Sequence, residues 1–357
     1  MQGESLEISL LSIFSIMSFF SFFLIQKFAQ KIFGNLIVDD DFSKPQSFHF
    51  ANIPRSGGLA AIISFSIFVF LSDLLFSTKY FDYLTVGIGL FLIGFLEDIK
   101  FKLSPRTRLA IMAIFLFISI RVFSIEIYSI DLNILNYILT FDIFLTLFLL
   151  FCFLFIINGS NLIDGFNGLL ALQLIIINSI LLFINLNNDL QMISVLITSQ
   201  IIILLIFLLF NFPKAKIFMG DGGAYFFGST TALNVITTNN LNAGISSFFF
   251  CILLFYLFFE VFFSFFRKLT QKKSPIKPDN HHLHMLSYKY LKHKLHQNDC
   301  NYLNSLVINF VYLIIVLPSI FVKENGFLCK YWFFFSLVIY VFIYFRLNSF
   351  IKKKIDI

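Results

Sequence analysis

The chain is a succession of long apolar runs broken by short polar knots. A bilayer-spanning helix needs roughly 20 mostly apolar residues. On that measure the pattern predicts about eleven helices, over 6–25, 58–77, 81–97, 106–124, 138–157, 168–186, 190–210, 222–239, 243–266, 303–322 and 330–346. The polar knots fall at 39–58, 97–108, 158–168, 211–221 and 267–302. One stretch, 158–169, packs three amides, one carboxylate and three glycines between two apolar runs. Unsatisfied polar groups cost several kcal/mol each in lipid, so this segment belongs at a membrane boundary or in a watered cavity. Its second half opens the next helix. Free N–H groups near Gly165 to Gly168 are therefore expected to face a ligand, and such ends attract phosphate.

Composition settles the class. Hydrophobic residues make up 58% of 357, charged residues 13%, Phe occurs 54 times, and the mean hydropathy is +0.87. These values place the chain outside soluble globular domains. The whole of 1–357 reads as one all-α polytopic membrane domain, with 267–302 as a hydrophilic loop within it. Glu4 and Glu7 precede the first apolar run while Lys27 and Lys31 follow it, which predicts a retained helix with its N-terminus outside. Alternating the loops from there puts 22 of the 26 Lys and Arg residues on the inner side, leaving Lys79, Arg121, Lys323 and Lys330 outside. The C-terminus and all five polar knots then fall on the cytoplasmic face. Cys152, Cys251, Cys300 and Cys329 are too scattered to suggest a disulfide framework or a Cys-based zinc site.

Several knots carry candidate chemistry, and each has an ordinary reading beside it. Glu97-Asp98 ends a predicted helix ahead of a Ser104-Pro105 helix start; adjacent carboxylates repel, and a cation or shared proton relieves them. A solvated loop is the plain alternative. Asp221 opens another helix among Gly220, Gly222 and Gly223, where a ligand could approach the backbone; a simple helix cap is the alternative. His281, His282 and His284 with Lys277 suggest a phosphate-attracting patch or a plain basic loop. A zinc site drawing on His293, His296 and Cys300 matches no ligand spacing. Pro54-Arg55-Ser56-Gly57-Gly58 could hold an anion through Arg55 and backbone N–H groups. Oxygen-rich groups on one face with a phosphate-friendly patch suit Mg²⁺ and phosphoryl transfer at a membrane surface. A transporter or flippase for a lipid-linked sugar is the second reading, and a membrane scaffold the third. The nearly charge-free helix interiors, with Asp73, Asp142 and Glu260 as the main exceptions, speak against transport.

Taken together, these segments resemble the polyprenyl-phosphate N-acetylhexosamine-1-phosphate transferases. The matching segments are Pro54 to Gly58, Gly94-Phe95-Leu96-Glu97-Asp98 with Leu103-Ser104, 158–169, 211–223, and Pro278-Asp279-Asn280-His281-His282-Leu283-His284. The short Pro-Arg-Ser-Gly-Gly segment and the Pro-Asp start of the His loop look like the GlcNAc-1-phosphate transferase branch. The resemblance implies a bacterial inner-membrane enzyme with its active site facing the cytoplasm. Such an enzyme moves N-acetylhexosamine 1-phosphate from a UDP-sugar, such as UDP-GlcNAc, to undecaprenyl phosphate, releases UMP and begins a cell-surface glycan. It implies Mg²⁺, or Mn²⁺, on Asp221 and catalytic carboxylates at Asp98, Glu97 and Asp164. Nucleotide-sugar contacts are implied at Asn161, Asp164, Asn167 and Phe218, and phosphate contacts at His282, His284 and Arg55. A homodimer is possible and nucleic acid is not a partner. Glu97 replaces the usual first Asp of the pair. Asn167 stands where many members carry Asp, Met285 where a third His is common, and Gln46-Ser47-Phe48 before His49 where an Arg is usual.

Overall fold

The computed structural model describes residues 2–40, 52–275, 279–296 and 300–354. Thirteen α-helices run through the described residues: α1 Gln2–Phe33, α2 Gly57–Phe76, α3 Phe81–Asp98, α4 Pro105–Val122, α5 Asn133–Leu139, α6 Asp142–Ile163, α7 Leu169–Asn187, α8 Gln191–Asn211, α9 Gly220–Leu241, α10 Ser247–Thr270, α11 Leu283–Leu295, α12 Asn301–Ile320 and α13 Gly326–Lys354. Eight of these are long and apolar enough to cross a membrane by length and composition. The chain is thus an all-α polytopic membrane protein. α3, α4 and α9 are 18, 18 and 22 residues long and carry more charged or polar positions.

The architecture is arranged around α9, which is buried along most of its length and packs against α3, α6, α2 and α7. Lipid supplies no hydrophobic drive between helices, so close packing of small residues and interhelical hydrogen bonds do this work. Gly228 sits against the backbone of Ile157 and the side chain of Ser160 on α6. Asn234 donates to Asn178 on α7 and to Gln200 on α8, both at 2.8 Å, and Asn185 donates to Thr238 at 2.9 Å. These amides fix the rotation of α9 about its axis, and with it the direction in which its first turn points.

The ends of several elements differ from the sequence reading for physical reasons. α6 continues to Ile163, through Asn158, Gly159 and Ser160, where the pattern predicted a helix ending at 157. Asn158 turns its amide back onto the carbonyl of Leu154 at 2.7 Å, so its polarity is absorbed inside the helix. Gly159 has no side chain and lets α10 approach, since a Cβ there would lie 2.2 Å from the Leu257 carbonyl oxygen. α1 likewise runs past Lys27 and Lys31. The Ser104-Pro105 start of α4 is as expected: Ser104 accepts the Thr107 N–H at 3.1 Å, with proline in the first turn. A two-residue antiparallel pairing, β1 Val38–Asp39 with β2 Ile53–Pro54, brings Asp39 beside Arg55.

Candidate active site

The start of α9 is held by the end of α3. Asp98 is buried, and its two carboxylate oxygens accept the backbone N–H groups of Asp221 and Gly222, each at 2.8 Å. A carboxylate over two free N–H groups satisfies donors that a helix start cannot pair within itself, and its charge favours the positive end of the dipole. Gly220, at φ +76°, makes the turn that permits this, and a Cβ on it would lie 2.6 Å from Asp98 Oδ2. Asp98 therefore positions the loop that carries Asp221.

Charges accumulate around that clamp. Arg108 of α4 donates to Asp221 at 2.9 Å, stands 3.7 Å from Glu97 and lies over the Tyr225 ring at 5.9 Å. Arg55 donates twice to Asp39, at 2.7 and 3.1 Å, and lies 3.8 Å from Asp98. Asp164, which caps the end of α6, belongs to the same electrostatic neighbourhood. Burial pushes its carboxyl well above the ordinary range, the negative charges of Asp221 and Asp98 add to this, and Arg55 opposes it. Glu97 Oε2 is buried without a hydrogen-bond partner among the described residues. Three carboxylates from α3 and α9 thus share two arginines, and the charge of Asp164 at the end of α6 is felt beside them. Hard oxygen donors that repel one another suit a divalent cation such as Mg²⁺. Among the described residues no three His, Cys, Asp or Glu side chains are already gathered as a ready-made metal cage.

The glycine-rich segment 54–58 grips the same loop rather than an anion. Gly57 and Gly58 donate their N–H groups to the carbonyls of Phe218 and Met219, each at 2.8 Å, and Phe218 donates to the Pro54 carbonyl at 2.9 Å. The expected anion cradle is therefore already filled by the 211–220 loop, and Arg55 serves Asp39 and Asp98. Half-buried Phe218 is held by its backbone at the edge of the carboxylate group. A Cβ on Gly58 would lie 2.3 Å from the Gly223 nitrogen, and that atom is backbone. Gly58→Ala is expected to destabilise the protein by about 1–3 kcal/mol, because α2 and α9 must part. Gly244 has nothing within 4 Å of such a Cβ, and Gly244→Ala should melt as the parent does in a paired thermal-unfolding measurement.

A second correction concerns 158–169. The N–H of Asn167 is taken by the Asn301 side chain and that of Gly168 by Asn211, each at 2.7 Å. These two N–H groups are thus taken by amides rather than held open for a phosphate. Asn167 also donates to the Pro213 carbonyl at 2.9 Å, which ties it to the loop before α9 rather than leaving it free for a sugar. Asn161 sits half-buried in the last turn of α6, three residues before Asp164.

The histidines form a separate cluster, joined to the carboxylates through 158–169: Phe166 meets the His284 ring edge-on at 5.8 Å. His282 and His284 are buried, so the plain basic loop, the alternative reading of 281–284, is not what folds. Their rings stack in parallel at 5.6 Å and turn their Nδ1 atoms to Glu260 of α10, at 3.4 and 3.5 Å. Burial lowers the His284 pKa, aided by His282 and opposed by Glu260. Asp279 is locked to Arg267 by two hydrogen bonds, at 2.8 and 3.2 Å. Burial works against its ionisation, but Arg267, with His282 and Lys268, holds its pKa at about 2. Lys277, Pro278 and 46–49 lie outside the described residues.

Sequence reasoning passed over three participants. Arg108 looked like one more inner-side cation. Asp39 carried no motif. Glu260 stood out only as an ionisable residue inside an apolar helix, which was the available signal.

The profile of glycosyl transferase family 4 matches residues 80–239, which include Glu97, Asp98, Asp164 and Asp221. The undecaprenyl-phosphate alpha-N-acetylglucosaminyl 1-phosphate transferase of Thermotoga maritima is 27% identical over 243 residues, covering 66% of this chain and 68% of that protein. The probable undecaprenyl-phosphate N-acetylglucosaminyl 1-phosphate transferase of Bacillus subtilis is 27% identical over 315 residues, covering 85% and 82%. A phospho-N-acetylmuramoyl-pentapeptide-transferase of Dictyoglomus turgidum is 28% identical over 257 residues, covering 69% and 80%.

Proposed function

Since this chain belongs to glycosyl transferase family 4, among the polyprenyl-phosphate N-acetylhexosamine-1-phosphate transferases, we propose that it moves N-acetylhexosamine 1-phosphate from a UDP-sugar to undecaprenyl phosphate and releases UMP. The observation that carries the reading is the convergence of Glu97, Asp98 and Asp221 with Arg55 and Arg108 at the α3–α9 junction, with the charge of Asp164 at the end of α6 felt beside them. That neighbourhood suits a charged diphosphate and its cation.

In this reading an oxygen of the lipid phosphate attacks the β-phosphorus of the UDP-sugar. The bond from that phosphorus to the bridging oxygen breaks, and UMP leaves with the bridging oxygen and its electron pair. The phosphate monoester is already ionised at neutral pH, so the attack needs no strong base. Asp98 then acts by holding the Asp221 loop, both its oxygens being engaged by backbone N–H groups. Arg55 and Arg108 meet charge on the transferring group, Phe218 offers a ring to the uracil, and Asn161 and Asp164 border the nucleotide. Asp221 and Asp164, with Glu97 nearby, would hold Mg²⁺, which when bound supplies positive charge to the diphosphate oxygens. An eleven-span topology with the N-terminus outside and the site at the cytoplasmic face is the arrangement that accords with the distribution of Lys and Arg.

Purified protein given undecaprenyl phosphate, Mg²⁺ and each of a panel of UDP-N-acetylhexosamines is expected to release UMP with at least one donor, and EDTA to stop it. No UMP from any donor, or turnover unaffected by chelation, would overturn the reading or its metal respectively.

A further inference from the structure

We propose that the cleft between α10, α11, α12 and α13 binds an anionic phospholipid, an acyl chain filling the cleft while the phosphate meets the basic ends of α11 and α13. The binding goes beyond the transfer reaction, and only its effect on turnover rests on that reading.

An apolar cavity of about 200 Å³ lies in this cleft, lined by Tyr256, Leu283, Tyr290, Ile308, Ile343 and Leu347 among others. The volume is below the roughly 300–1,000 Å³ of ordinary small-molecule sites, and suits a slender chain better than a compact ligand. Water has little to bond there. Three tyrosines stand in the wall, but their hydroxyls are engaged elsewhere: Tyr340 donates to Glu260, Tyr312 to the Leu253 carbonyl, and Tyr256 pairs with His284. Their rings are what remains, and hydrocarbon is the occupant that such a wall accepts. The cavity also reaches the bilayer side. Val307 of its lining is 40% exposed, and α12 and α13 each pack on α10 and α11 more than on each other. A chain can therefore enter between them.

The head group follows from charge. Lining residues recur at helical spacing along α11, at Leu283, Ser287 and Leu291, and along α13, at Tyr340, Ile343 and Leu347. Beyond the last of each, the helix ends in exposed cations: Lys292 and Lys294 on α11, Lys352, Lys353 and Lys354 on α13. Phe350 joins the two ends, with the Tyr290 and His293 rings edge-on to it at 5.0 and 5.5 Å and Lys294 Nζ 5.9 Å from its centre. The helices α11, α12 and α13 carry no Asp or Glu of their own. From 281 to 357 nine Lys and Arg stand against three acids. Of these acids Glu324 pairs with Lys323 at 3.2 Å, and Asp299 and Asp356 lie outside the described residues. Basic clusters at the end of a membrane helix draw anionic lipid, whereas a zwitterionic head group brings its own ammonium and offsets nothing. Occupancy also bears on the site. α11 lays Tyr288 and His284 against Phe166, so a chain in the cleft braces 158–169 and Asp164 within it.

The test uses the purified full chain in neutral detergent, beside its Lys292→Gln/Lys294→Gln/Lys352→Gln/Lys353→Gln/Lys354→Gln variant, in which every changed residue is exposed. Phosphatidylglycerol should raise the parent's thermal midpoint at about tenfold lower concentration than phosphatidylcholine, because several lysines each favour the anionic head group. In the variant the two lipids should act alike. One-chain lysophosphatidylglycerol should act as phosphatidylglycerol does, while sn-glycerol 3-phosphate, a phosphate without a chain, should do nothing. An equal response of the parent to both lipids, a preference that survives in the variant, or a response to sn-glycerol 3-phosphate overturns the proposal. So does displacement of phosphatidylglycerol by an equal amount of undecaprenyl phosphate, which makes the cleft an acceptor site instead. None of these measurements needs turnover. In phosphatidylcholine nanodiscs, UMP release by the parent should rise when phosphatidylglycerol is added, and that of the variant should not; a parent indifferent to the lipid overturns the bracing of 158–169. If the parent releases no UMP from any donor, the transfer reading fails while the lipid result stands.

Discussion

Asp221→Asn is expected to lower UMP release about 100- to 1000-fold, the usual cost of removing one preorganised electrostatic group from a reacting centre. The fold should hardly notice. Asp221 is partly exposed, its side chain 19% accessible, and its partner Arg108 keeps Glu97 within 3.7 Å. Removing one of several repelling carboxylates also relieves strain: Asp164 is pushed up in part by Asp221, and its carboxyl should fall back toward the ordinary range. The sign follows from linkage. A group whose folded pKa is raised loses stability as pH rises through that value, so the parent should weaken with alkalinity more than the variant does. Mn²⁺ binding followed by electron paramagnetic resonance in the presence of UDP is the second measurement, and it should weaken at least about tenfold. Asp221→Asn protein that kept a tenth of parental turnover and the same Mn²⁺ affinity would show that Asp221 only anchors Arg108.

How far the sequence foretold this site depends on whether the relevant partner was local. Asp221 at a helix start, Ser104-Pro105 at another and the Glu97-Asp98 helix end are signals contained within a few residues, and all three stand in the structure. The amides of 158–161 looked like loop because polarity in an apolar chain usually marks a boundary. The Asn158 back-bond and the bare flank of Gly159 carry the helix through them instead. The N–H groups of Gly57, Gly58, Asn167 and Gly168 looked free because their acceptors are Phe218, Met219, Asn301 and Asn211, distant in the chain. A plain basic loop stayed open as a reading of the histidines for the same reason. Only the folded chain brings Glu260 onto them, and burial then reverses the expectation of a cationic surface.

Asp98→Asn separates two roles that a carboxylate can have here. If Asp98 positions the Asp221 loop, the change damages architecture before chemistry. Its two oxygens accept two backbone N–H groups, and an Asn must present its NH₂ to one of them, donor against donor. Leaving that N–H unpaired in a buried place costs about 1–3 kcal/mol, and the lost charge at the helix start about 0.3–1 kcal/mol more. The thermal midpoint should fall by several degrees, and UMP release by at least about 100-fold, as Asp221 leaves its place. Asp98→Glu should be no rescue, since Gly220 leaves no room for an added methylene beside the carboxylate. A proton-abstracting Asp98 predicts the opposite pair of results. Asp98→Asn would then melt with the parent while turnover alone collapsed, and the pH profile of kcat would lose its acidic limb. The two outcomes differ in thermal stability, which needs no substrate and can be measured before any donor sugar is known.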